Sequence, residues 1–150
     1  MTAARHLPDD AFPFLTLAER DRLLAHGRKQ RFGPGQTILR ERHHSHAIYV
    51  LLKGRVSVEK EHLGVGVAVD ELRTGAVFGE VSYLDGSPTS TSIVACEEAD
   101  VLVLDHLDDL LGSDPGLASG FYRSLATLLA RRLRFTTKES VTAATGLTWE

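Results

Sequence analysis

Phe78-Gly79-Glu80-Val81-Ser82-Tyr83-Leu84-Asp85-Gly86-Ser87-Pro88-Thr89-Ser90-Thr91-Ser92 is the most informative stretch of this 150-residue chain. It reads as a strand end, a short apolar helical turn, and a loop of small hydroxylated residues. Gly79 lets a ligand approach the backbone closely. Glu80 places a carboxylate where the strand stops, and a carboxylate accepts a hydrogen bond from a sugar hydroxyl. Ser90, Thr91 and Ser92 offer successive backbone N–H groups and hydroxyls, a run that can form an anion-binding concavity. Taken alone, the pattern also fits an ordinary Gly-Glu turn followed by a polar loop.

On both sides of this stretch lie short segments rich in β-branched residues, separated by glycines. Upstream they are Thr37 to Leu39, Ala47 to Leu52, the alternating Arg55-Val56-Ser57-Val58-Glu59, and Val65, Val67 and Val69 after a turn at Leu63-Gly64. Gly75 introduces Val77-Phe78, and Thr91 to Ala95 and Val101 to Leu104 follow downstream. Many short strands at regular spacing indicate an all-β barrel or sandwich.

Helical periodicity flanks the strands. Phe14 to Arg31 carries apolar residues at helical spacing, with Thr16 and Glu19 forming a capping box and Gly27 available as a stop. His106 to Leu111 suits a short helix. Asp114-Pro115 then supplies an N-cap and an N1 proline for a long helix from Gly116 to Ser140. Leu117, Phe121, Leu125, Leu128 and Leu133, widened by Leu129, mark its apolar stripe. Such a stripe suits a dimer seam, so a homodimer through this helix is expected. Residues 1–140 form the domain, and Val141 to Glu150, with Trp149, reads as a flexible tail.

Composition narrows the functional classes. Hydrophobic residues make up 43% and charged residues 25%, as in a globular domain. Seventeen basic against twenty acidic side chains give a net charge of −3, the wrong balance for a protein that grips DNA through phosphates. Cys96 is the one cysteine, so no internal disulfide framework exists. Neither an export signal nor an apolar run of about 18 residues is present, and a cytoplasmic location is expected.

The landmarks Phe32-Gly33-Pro34-Gly35-Gln36, Ile48-Tyr49-Val50-Leu51-Leu52-Lys53-Gly54, Phe78-Gly79-Glu80 and Ala130-Arg131-Arg132-Leu133 carry a resemblance. From about Phe12 to Ser140 the chain resembles the cyclic nucleotide-binding domain. Bacterial catabolite-activator-type regulators and the regulatory subunits of cyclic-nucleotide-dependent kinases share that domain. The resemblance implies a mainly β fold with flanking helices: a jelly-roll-like β-roll of about eight strands, one helix before it and a long helix at its end. It implies a cyclic nucleotide such as cAMP or cGMP as ligand, no catalytic residues, no required cofactor, and signalling to a protein partner. The implied ligand-binding residues are Gly79, Glu80, Val81, Thr89, Ser90, Thr91 and Thr136. Glu80 matches the glutamate that binds the ribose 2′-hydroxyl. Ser90 and Thr91 match the residues whose N–H groups meet the phosphate. Thr136 matches a threonine that contacts the purine. Thr89 departs from the pattern, because it stands where the family has the arginine that pairs with the phosphate. Weakened or altered affinity is therefore expected, unless Arg55 or Arg73 replaces the missing cation.

Three further features have plainer readings. His43, His44 and His46 suit a metal ligand set in a small barrel enzyme, but exposed loop histidines are the simpler explanation. Arg131, Arg132, Arg134 and Lys138 read as a solvated helix face. Only ten residues follow Ser140, too few for a DNA-binding helix-turn-helix domain, so DNA binding by this chain is not expected.

Overall fold

The computed structural model describes residues 6–146. In chain order these form α1 (Leu17–His26), β1 (Arg28–Phe32), β2 (Thr37–Leu39), β3 (Ile48–Lys53), β4 (Arg55–His62), β5 (Val65–Arg73), β6 (Val77–Phe78), α2 (Glu80–Asp85), β7 (Ser92–Ala95), β8 (Ala99–Leu104), α3 (Leu107–Ser113) and α4 (Pro115–Thr145). The strands make two four-stranded antiparallel sheets, ordered β1-β8-β3-β6 and β2-β7-β4-β5.

Alternation along the central strands divides the apolar interior in two. In β8, Val101 and Val103 turn inward between the sheets, while Leu102 and Leu104 turn to the helices. In β3, Leu51 joins the first group and Ile48, Val50 and Leu52 the second. Both strands are covered on both faces, which is why their sequences are continuous apolar runs. The inner cluster also holds Val56, Phe78, Ile93 and Ala95, and the outer cluster holds Leu23, Leu107, Leu117, Phe121 and Leu125.

α1 starts on the expected capping box: Thr16 Oγ1 accepts from the Glu19 N–H and the Glu19 carboxylate accepts from the Thr16 N–H. It ends at Gly27, the stop that the sequence offered, although the apolar spacing runs on to Arg31. Arg28 to Phe32 instead forms β1, because β8 offers it five paired positions. The N-terminal segment is tied down by Arg20, only 8% exposed, which donates to the carbonyls of Leu7, Pro8, Ala11 and Phe12.

The hairpin β4–β5 turns at Leu63-Gly64, both at positive φ as a two-residue turn of this type requires. Its alternating valines do not mark a buried face: Val65, Val67 and Val69 are all exposed. β7 pairs with β4 only as far as Glu59, so the outer half of the hairpin runs beyond that pairing and is held instead by contacts of Lys60 and Glu61 with Glu41, Arg42 and Ser90.

α4 opens as expected, with Asp114 accepting from the Leu117 N–H and Pro115 in the first turn. Its first half lies against the N-terminal segment. Phe121 stacks on Phe12 at 5.1 Å, and the Phe14 N–H donates to Ser124 Oγ. Leu117, Phe121 and Leu125 are therefore spent on the protein's own core rather than on a seam. Leu133 is left exposed. The helix continues five residues past Ser140, so 141–145 are helical rather than tail; Trp149 lies outside the described residues.

Candidate functional site

Phe78 ends β6 and the chain turns at Gly79, which holds φ +79°. A Cβ there would meet the Tyr49 ring at 2.9 Å and the Ala47 carbonyl at 3.3 Å. Position and conformation both demand glycine. The turn starts α2 with Glu80 pointing inward, 2% exposed. Its carboxylate accepts a hydrogen bond from the Arg132 guanidinium of α4, which also donates to the Val77 carbonyl at 2.8 Å. A buried carboxylate needs such a partner. The pair links α4 directly to the start of α2.

Around this pair lies a cavity of about 280 Å³. Gly79, Glu80 and Val81 form one wall, and Thr89, Ser90 and Thr91 another. Leu39, Val58, Leu72, Phe78 and Ile93 give it an apolar floor, and Asp70 adds a second carboxylate. An apolar surface with a few convergent polar groups suits a small organic ligand.

The loop after α2 is held by hydrogen bonds to the chain between β2 and β3. Thr89 is 6% exposed. Its N–H donates to the His43 carbonyl at 2.9 Å, and its own carbonyl accepts from the Arg42 N–H at 2.7 Å. Its hydroxyl accepts from the His43 N–H at 3.0 Å and donates to the Arg40 carbonyl. Before this clasp, Asp85 accepts from the Ser87 hydroxyl and N–H, which hold its carboxyl below the usual carboxylate range.

Six of the residues singled out from sequence thus line one cavity: Gly79, Glu80, Val81, Thr89, Ser90 and Thr91. Thr136 is not among the lining residues; its hydroxyl donates to the Arg132 carbonyl one turn back. Neither Arg55 nor Arg73 lines the cavity. Both lie 3.7 Å from Glu71 instead. Arg132 corrects the reading of the basic run as a solvated face, since its side chain reaches the cavity. A signal was available: position 132 is seven residues after Leu125, on the buried face of α4.

The histidines do not converge. His43 joins the Thr89 clasp through its backbone, whereas His46 borders a separate cavity with Tyr83, His106, Asp108 and Tyr122. Burial, with Tyr122 beside it, pushes the Tyr83 phenol above its ordinary value. Among the described residues no three His, Cys, Asp or Glu side chains gather as a metal ligand set.

The profile of the cyclic nucleotide-binding domain matches residues 29–111, more than half of the chain. The chain belongs to the cyclic nucleotide-binding domain family. The cyclic AMP receptor protein of Thermus thermophilus is 33% identical over 126 residues, covering 82% of this chain and 56% of that protein. The cyclic GMP-binding protein C of Dictyostelium discoideum is 32% identical over 123 residues, 79% of this chain and 5% of that protein. The chain therefore spans little more than half of one relative and a small fraction of the other. Among solved structures, the Thermus thermophilus catabolite activator protein superposes with a TM-score of 0.72 at 32% identity, covering 87% of this chain and 61% of that one. A cyclic nucleotide-binding domain from Methylobacillus flagellatus KT gives a TM-score of 0.78 at 24% identity, covering 91% and 83%, and shares the fold. The β-roll, its N-terminal helix and its long C-terminal helix are those of this family.

Proposed function

We propose that the chain is a regulatory module that captures a cyclic nucleotide of the cAMP or cGMP type with weakened affinity and passes the signal to a protein partner. The observation that carries this reading is the single cavity shared by Glu80, Ser90, Thr91 and Arg132. This reading assigns the ribose hydroxyl to the Glu80 carboxylate and the cyclic phosphate to the Ser90–Thr91 loop, both of which line that cavity. The names of the Thermus and Dictyostelium relatives support a cyclic nucleotide as the ligand class. Weakened affinity follows from Thr89, whose hydroxyl is engaged with Arg40 and His43 and which carries no charge.

Glu80 and Arg132 give the mechanism a physical link. A ligand that engages Glu80 competes with Arg132 for the same carboxylate, and so biases the position of α4. A switch of this kind needs differential affinity for its two states, which this competition provides. Leu133 and the exposed end of α4 suit a homodimer seam, and in this reading Thr136, one turn beyond Arg132, is the residue that meets the purine. We read the chain as a binding module, not an enzyme, acting in the cytoplasm without a cofactor. Among the described residues no helix is long and apolar enough to cross a membrane.

Calorimetric titration with cAMP and cGMP tests this. Heat of binding with a micromolar-to-millimolar dissociation constant is expected. The absence of both heat and a thermal shift at millimolar ligand would sink the sensor reading and leave an interaction scaffold.

A further inference from the structure

The phosphate end of the cavity has no cationic side chain from the loop that frames it. We propose that Lys60, on β4, supplies the positive charge for the ligand's cyclic phosphate in place of the arginine that Thr89 displaces. This rests on the cyclic-nucleotide reading given above.

Lys60 does not itself line the cavity, but the strand geometry sets it against the loop that does. Val56 is buried in the roll and Val58 lines the cavity. Lys60, two residues further, continues the same face. β4 pairs with β7 through Glu59 and Ser92, so Lys60 lies beside the loop that precedes β7. Its ammonium donates to the Ser90 carbonyl at 2.8 Å. Ser90 is the residue whose N–H is matched to the phosphate, so the charge sits within one residue of that site.

Lys60 is also held in place. Glu41 Oε2 lies 3.4 Å from Nζ, and the Glu41 side chain is only 7% exposed. The Glu61 N–H donates to the other Glu41 oxygen at 2.9 Å. An ammonium has three donors. Ser90 and Glu41 take two, which leaves one for a phosphate oxygen.

Among the other nearby cations, Arg132 also lines the cavity but from the Glu80 side, and Arg40, whose carbonyl accepts from Thr89, is exposed. Arg132 pairs with Glu80, Arg42 with Glu61 and Glu41, and Arg55 and Arg73 with Glu71. Lysine is a compact point charge without the two-pronged geometry of arginine. It therefore gives phosphate-dependent but weaker binding than the family's arginine.

The test is titration of the wild type and Lys60→Gln with cAMP and with adenosine, which lacks the phosphate. The wild type should prefer cAMP, and Lys60→Gln should weaken cAMP binding about tenfold while leaving adenosine unchanged. Lys60→Arg should retain the preference. Unchanged cAMP binding by Lys60→Gln overturns the proposal, as does an equal loss for both ligands, which marks a structural role. If the wild type binds no cyclic nucleotide, the functional reading falls and this proposal falls with it. If the wild type binds and Lys60→Gln binds equally well, only this proposal falls.

Discussion

Thr89 has both hydrogen-bonding roles of its hydroxyl filled inside the protein, by Arg40 and His43. Thr89→Arg gives up those two bonds, at about 1 kcal/mol each, and places a guanidinium at the phosphate end. Cyclic-nucleotide affinity should rise roughly tenfold or more by calorimetry, with a modest loss in thermal stability. An unchanged dissociation constant would mean that another part of the pocket limits affinity. The Glu80–Arg132 pair makes a second prediction. Arg132→Leu strands a carboxylate that is 2% exposed and should cost roughly 2 kcal/mol by urea denaturation. Adding Glu80→Gln should recover much of that loss, because the buried charge is then gone; if it does not, the destabilisation comes from the Val77 contact. Glu80 was legible in the sequence as a carboxylate where a strand stops, because the Phe78-Gly79-Glu80 landmark carried the resemblance. Arg132 shares the face of Leu125 seven residues earlier, a signal the basic run masked, and only the docked helix shows that Glu80 is its partner.

At the scale of elements, the contact between α4 and the N-terminal segment depends on Gly120. A Cβ there would meet the Phe14 carbonyl at 2.6 Å and Leu15 Cδ2 at 2.9 Å. Gly120→Ala should therefore destabilise by about 1–3 kcal/mol in a denaturant titration, although alanine favours helix. A stability gain would show that the two elements separate easily. The anchoring of the β4–β5 hairpin is sensitive to acid. The Glu61 N–H and Lys60 hold the Glu41 carboxyl below its ordinary value of 4.5. A lowered folded value means stability that is present above 4.5 and is lost as pH falls through the folded value. Thermal melts between pH 6 and 3 should show a shallower acid loss for Glu41→Gln than for the wild type. Parallel curves would mean that other carboxylates govern the acid limb. The strands were readable as a set, while β1 was hidden inside an apparent helical period. Its first four residues are polar and exposed, and only the open edge of β8 made them a strand.

For the whole molecule, α4 is the decisive element: 31 residues reach about 46 Å, but only the first half packs on the roll. In the proposed homodimer, the wild type sediments at twice 16.4 kDa, and Leu133→Glu shifts it to the monomer. A wild type that stays monomeric at tens of micromolar would count against the seam. By itself the sequence determined the family, the two-layer β architecture and six positions of one cavity. Those features are local: turn glycines, alternating strands and a contiguous loop keep their meaning without knowledge of distant partners. Only the tertiary structure decided which arginine meets Glu80, where Arg55 and Arg73 point, and that Lys60 borders the Ser90 loop. The Lys60–Ser90 and Glu80–Arg132 contacts join residues 30 and 52 positions apart. Their pairing follows from sheet register and helix docking, which a linear pattern of charges does not encode.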